Sequence, residues 1–150
     1  MQWHEIKQIV EKIFQEQKGG WQQIIILLLT GSRPFELVRN NIWIEKNKLH
    51  ILVAKKRKSQ ILKKININKY WSEIDTQSFV GVRQINRLTK KYTGLSPRQY
   101  RHFFATSLYE KNFPIEEIKE CLYHSNSKIT KVYIDSWREP IQNVIKNILE

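Results

Sequence analysis

A chain of 150 residues, 41% of them hydrophobic, is long enough for one domain whose core needs neither disulfides nor a structural metal. Twenty-six Lys and Arg against 14 Asp and Glu leave a net charge of +12 and a pI near 9.9, which points to a polyanionic partner. Nucleic acid comes first, because Lys and Arg gain affinity by releasing counterions from phosphates, and a membrane surface second. The one long apolar run, residues 24–29, falls far short of the about 20 residues of a membrane span, and the N-terminus carries no apolar region of signal-peptide type. Cys121 is the single cysteine, which excludes an intrachain disulfide and a cysteine-based zinc cluster, so an intracellular, reduced setting without membrane attachment is expected.

Trp3, Ile6, Ile9, Val10, Ile13 and Phe14 recur at helical spacing until Gly19-Gly20 interrupts them, which predicts an amphipathic helix over 2–18. A more buried helix is predicted over 21–29. Thr30-Gly31-Ser32-Arg33-Pro34 breaks it, and Pro34 suits the first turn of a short helix to about residue 38, which holds Arg33 at a helix N-terminus. The texture then turns β-branched: residues 42–44, 49–53 and 61–67 read as a small antiparallel sheet, with Ile61, Ile65 and Ile67 on one face. Lys55, Lys56, Arg57, Lys58, Ser59 and Gln60 join its second and third strands as a basic hairpin tip.

The remainder reads as helical. Phe79, Val82, Ile85, Leu88 and Tyr92 mark a helix ending near Gly94, and Ser96-Pro97 gives an N-cap and first-turn pair for the next, to about residue 111. Pro114 opens another through residue 123. Residues 127–135 and 140–149 are further candidates, the last with an apolar stripe of Ile141, Val144, Ile145 and Ile148. The whole is α+β, mainly α-helical, without internal repeat or linker.

Arg98 and Arg101 stand three residues apart on one predicted helix, so both guanidinium groups can leave the same face and meet one phosphate. Alone, such a pair is usually solvated surface charge. Order and spacing give it weight: Arg33 lies in Thr-Gly-Ser-Arg-Pro-Phe-Glu, Lys55 in the strand-to-strand turn, Arg101 in Arg-His-Phe-Phe-Ala-Thr, His124 in Leu-Tyr-His-Ser, and Tyr133 nine residues later. This succession resembles the signature of tyrosine recombinases of the phage-integrase type. There the pieces are a Thr-Gly-x-Arg-x-x-Glu turn, a hairpin lysine, a His-x-x-Arg-His segment, a Gly-His-Ser segment and a tyrosine nucleophile nine positions on. The resemblance covers residues 30–133.

It implies the catalytic-domain fold of that family, with a three-stranded antiparallel sheet, acting on double-stranded DNA. A phosphodiester attacked by a phenol gathers negative charge on its nonbridging oxygens, so cationic or hydrogen-bond-donating groups must surround it. By resemblance, Arg33 and Arg101 clamp that phosphate, His124 donates to a nonbridging oxygen, and Lys55 protonates the departing 5′ oxygen. Tyr133 becomes the 3′-phosphotyrosine, and neither ATP, metal nor any other cofactor is required. Lys56 and Lys58 compete with Lys55 for the acid role, and Lys56, Arg57 and Lys58 are the expected DNA contacts. Glu36 is expected to act behind Arg33 and not as a catalyst. Taken singly, Tyr133 between Val132 and Ile134 also fits a core tyrosine.

Two departures from the family pattern stand out. Arg98 replaces the usual histidine, as another basic residue does in integrases of archaeal viruses, and Tyr123 replaces the usual glycine. A guanidinium donates hydrogen bonds to phosphate but cannot serve as a general base, so slower cleavage is expected. The separate N-terminal DNA-clamping domain common in the family does not fit beside the catalytic domain in 150 residues, so residues 1–150 are expected to be catalytic domain alone. The stripe within residues 140–150 suits either packing on its own core or docking on another protomer of a dimer or tetramer. Recombination of a viral or mobile element is the expected setting; type IB topoisomerase or telomere-resolvase activity and a catalytically silent DNA-binding relative are the alternatives.

Overall fold

The most apolar stretch of the sequence becomes the centre of the molecule. In the computed structural model, which describes residues 1–56, 59–122 and 139–149, helix α2 (Trp21–Thr30) has all ten residues buried, as a helix without a polar face must. Its two glutamines are buried with every polar atom engaged. Gln22 donates to the carbonyls of Tyr70 and Glu73 at 2.9 and 2.7 Å and accepts from the Asp75 N–H at 2.8 Å. Gln23 does the same with the Leu37 and Val80 carbonyls and the Val80 N–H. Both therefore pin loops to the core and satisfy groups that would be costly if left unpaired.

Helix α1 (Trp3–Glu16) lays Ile6, Val10 and Ile13 against this centre and ends at Gln17, whose φ of 47° caps it two residues before the expected Gly19-Gly20. Gly31 caps α2 in the left-handed region at φ 66°, turning the chain sharply into Ser32 and Arg33. Pro34 opens a single 3-10 turn, Pro34–Glu36, shorter than the predicted helix to residue 38, and a second 3-10 turn, Arg39–Asn41, leads into the sheet.

Strands β1 (Ile42–Glu45), β2 (Lys48–Lys56) and β3 (Ser59–Asn66) form an antiparallel sheet in that order. Lys46 and Asn47, at φ 51° and 59°, make the two-residue turn whose twist suits a hairpin. Leu49, Ile51 and Ile65 are fully buried on the covered face. The expected face of Ile61, Ile65 and Ile67 needs correction. Ile67 lies beyond β3 and is exposed, and the two-residue period brings Lys63 beside Ile65, fully buried opposite Ile51. β2 and β3 also run further than apolar content predicts, pairing Lys55 with Gln60 and Lys56 with Ser59, because ladder pairing depends on backbone groups and not on side-chain polarity.

Helix α3 (Val82–Thr93) ends on Gly94, and Phe79 stands before it in a turn. Helix α4 (Pro97–Glu110) starts in the expected way, with Ser96 accepting from the Gln99 N–H and the Gln99 side chain answering the Ser96 N–H. Its Tyr100 hydroxyl donates to the Leu28 carbonyl, joining α4 to α2. Helix α5 (Ile115–Leu122) follows, and the candidate helix at 127–135 lies outside the described residues. Helix α6 (Glu139–Leu149) buries Ile141, Val144, Ile145 and Ile148, and Gln142 bonds the Lys64 carbonyl and the Asn66 N–H at 2.9 and 3.1 Å. The stripe thus packs on its own chain's core. No helix among the described residues is long and apolar enough to cross a membrane.

Candidate active site

The turn after α2 is built around hydroxyls. Thr30 Oγ1 donates back to the Ile26 carbonyl at 2.6 Å, so its contact with Ser32 Oγ at 2.6 Å must be received from Ser32, since a hydroxyl has one proton to give. Ser32 in turn accepts from Lys63 Nζ at 3.2 Å. This chain fixes the residue before Arg33, and the Glu36 N–H, bonded to the Arg33 carbonyl at 3.0 Å, fixes the turn after it. The Arg33 side chain, 24% exposed, places Nη1 at 3.5 Å from Glu36 Oε1, while Lys63 Nζ lies 3.3 Å from Glu36 Oε2. Glu36 therefore stands behind Arg33, as expected.

Arg101 approaches from α4. Its Nη2 donates at 3.1 Å to the carbonyl of Leu122, the last residue of α5, where helix carbonyls lack internal partners. Its Nη1 is buried without a hydrogen-bond partner among the described residues. Burial, and after it the like charge of Arg33, pushes the Arg101 guanidinium down to about 10. It is a cation at neutral pH, held in a place that favours a nearby anion.

Arg33 and Arg101 line one open cleft of about 970 Å³. Arg98, exposed in the first turn of α4, lines it too, so the two arginines of α4 do share a face. Helix α3 contributes Asn86, Arg87 and Lys90 to the lining, and Ser96 and His102 add further polar groups. Among the described residues no carboxylate side chain lines the cleft, whereas Arg33, Arg87, Lys90, Arg98 and Arg101 do. Phe35, 54% exposed, stands at its edge. Among the described residues no three His, Cys, Asp or Glu side chains gather to hold a metal ion.

Lys55 and Lys56 are located only by the pairing of their backbone at the end of β2. Arg57, Lys58, His124 and Tyr133 lie outside the described residues. Arg87, Lys90, His102 and Lys63 are contributions that sequence reasoning missed. Arg87 and Lys90 carry a readable signal, a basic i,i+3 pair on the polar face of α3, and His102 directly follows Arg101. Lys63 shares the two-residue period of Ile61, Ile65 and Ile67, but a lysine inside a strand ordinarily faces water, so that period alone does not single it out.

The model of the phage integrase family matches residues 1–139. A Tnp I resolvase of Bacillus thuringiensis is 28% identical over 144 residues, which cover 93% of this chain and 42% of that protein. The tyrosine recombinase XerC of Leptospira interrogans is 33% identical over 70 residues, 44% of this chain and 22% of its own length. Among solved structures, XerH site-specific recombinase bound to its difH substrate in a pre-cleavage complex superposes over 99% of this chain and 48% of its own, with a TM-score of 0.54 at 14% identity. That likeness bears on the fold, a helical body with a three-stranded sheet. The chain spans under half the length of each of these proteins.

Proposed function

Because this chain belongs to the phage integrase family, we propose that it carries the strand-cleaving and rejoining centre of a site-specific DNA recombinase. One observation supports this reading above the others: Arg33 and Arg101, brought from segments far apart in sequence, line the same cationic cleft. A phosphodiester bound there would have both guanidinium groups at its nonbridging oxygens, where charge grows on the way to the pentavalent state.

In the proposed reaction the Tyr133 phenol oxygen bonds to phosphorus and the 5′ oxygen leaves, taking its proton from Lys55. His124 donates a hydrogen bond to a nonbridging oxygen, and Arg98 supplies a third guanidinium. The phosphodiester's energy is kept in the 3′-phosphotyrosine, so attack by another strand's 5′ hydroxyl reverses the step without ATP or metal. The phenol's own proton goes to water, since Arg98 cannot take it. Arg98→His should accordingly speed single-turnover cleavage; an unchanged or slower rate would count against this role.

Duplex DNA is the proposed partner, with the Arg87 and Lys90 wall of α3 and the hairpin residues Lys56, Arg57 and Lys58 meeting its backbone. The protein would work where DNA is, in the cytoplasm or nucleoid of a host cell. Recombination joins two sites, so self-association to a dimer or tetramer on DNA is part of the proposal. Residues 140–150 can link protomers only by releasing the apolar face that α6 now buries on its own chain. The test is a synapsed assay with two nicked sites. Exchange of strands between them supports a recombinase, relaxation of supercoils without exchange supports a type IB topoisomerase, and DNA binding without any cleavage supports a silent relative.

A further inference from the structure

Lys63 carries a charge that ordinarily faces solvent, yet the two-residue period of β3 puts it on the covered face of the sheet, fully buried opposite Ile51. A buried ammonium persists only with partners. Lys63 has Ser32 Oγ at 3.2 Å and Glu36 Oε2 at 3.3 Å, and Glu36 is itself fully buried. The other oxygen of Glu36 faces Arg33 Nη1 at 3.5 Å, which is long for a charge-assisted bond; those lie at about 2.7–2.9 Å. One carboxylate is therefore shared between two cations of different kinds. Lys63 is closed off from solvent, and Arg33 lines the cleft. The field of this group extends to both neighbouring helices, since Glu36 acts on Arg101 of α4 and Lys63 on the buried Cys121 of α5.

We propose that Lys63 is a positioning residue: it neutralises Glu36 from the interior, so that the carboxylate steers the Arg33 guanidinium without neutralising it, and Arg33 keeps its charge for an oxyanion in the cleft. A desolvated Glu36 with no interior counter-charge would close on Arg33 and draw it back from the cleft. The inference rests on reading the cleft as a phosphate site, but not on the assignment of Tyr133 as nucleophile.

Sulfate, a dianion throughout the neutral range, is the probe. Its affinity is followed in the full chain by the Nε–H resonance of Arg33, with the thermal midpoint measured alongside. Lys63→Met should weaken sulfate binding about tenfold and shift the Arg33 resonance even without sulfate. Adding Glu36→Gln removes the competing carboxylate and restores the parental net charge; affinity should return to within about twofold of the parent, and the resonance should move back. If Lys63→Met does not fold, Lys63→Gln, which keeps a polar contact to Ser32 without the charge, carries the same expectations. Parental affinity in the single variant, or no recovery in the double, would overturn the proposal and leave Lys63 a packing residue. Weakened affinity with an unmoved Arg33 resonance would overturn it as well, since Lys63 would then act only as a distant charge. A parent that binds no sulfate would instead overturn the phosphate-site reading, and this proposal with it.

Discussion

Arg101 donates Nη2 to the Leu122 carbonyl at 3.1 Å, tying the middle of α4 to the end of α5, while its buried Nη1 has no partner among the described residues. With a folded-state value near 10, well below the ordinary guanidinium range, folding disfavours the cation. That cost is present in full at every pH below about 10 and fades as the pH rises through that value towards the ordinary guanidinium range. A bound anion offsets it at neutral pH.

Arg101→Met should therefore leave the unliganded protein as stable as the parent or more stable by about 1 kcal/mol, because it removes a desolvated charge and keeps most of the packing. The same variant should lose the rise in thermal midpoint that sulfate gives the parent. Melting curves at pH 7 with and without sulfate test both effects, and a strong loss of stability without sulfate would contradict the account.

The α3 wall makes a separate prediction. If Arg87 and Lys90 each meet a backbone phosphate, replacing both by Gln should lower the slope of log affinity against log salt for duplex binding by about 2, with little change in preference among sequences. An unchanged slope would place the DNA elsewhere on the protein.

Gly31 tests the support beneath Arg33. At φ 66° the α-hydrogen that stands where a side chain would branch faces Phe104 Cδ1 and Leu122 Cδ2, and an added Cβ would lie 2.8 and 2.9 Å from them. Gly31→Ala combines left-handed strain with overpacking and should cost about 2–4 kcal/mol, read as a lower urea midpoint. Because the residues it displaces are Phe104, on the helix of Arg101, and Leu122, whose carbonyl Arg101 bonds, sulfate affinity should fall as well.

Much of this was legible in the sequence, and the misses have physical causes. Helices were readable where an apolar stripe meets a punctuating residue, as at Ser96-Pro97 and Gly94, because caps and periodicity act locally. Strand ends were not, since Lys55, Lys56, Ser59 and Gln60 pair through backbone groups that composition does not report. The convergence of Arg33 with Arg101 followed from motif order. Lys63 did not, because only the fold shows that its neighbour across the interior is a carboxylate. Arg87 and Lys90 were visible as an ordinary polar helix face, and only the packing of α3 beside the first turn of α4 turned that face into a wall of the cleft.

The most direct measurement of the central claim is covalent capture. The protein and its Tyr133→Phe variant are each incubated with duplexes nicked beside a panel of candidate sites, and the products are separated on a denaturing gel. The account predicts a protein–DNA adduct from the parent and none from Tyr133→Phe, with equal duplex affinity for the two. An adduct from both would move the nucleophile elsewhere, and no adduct from a parent that binds every duplex would contradict the claim that this cleft cuts DNA.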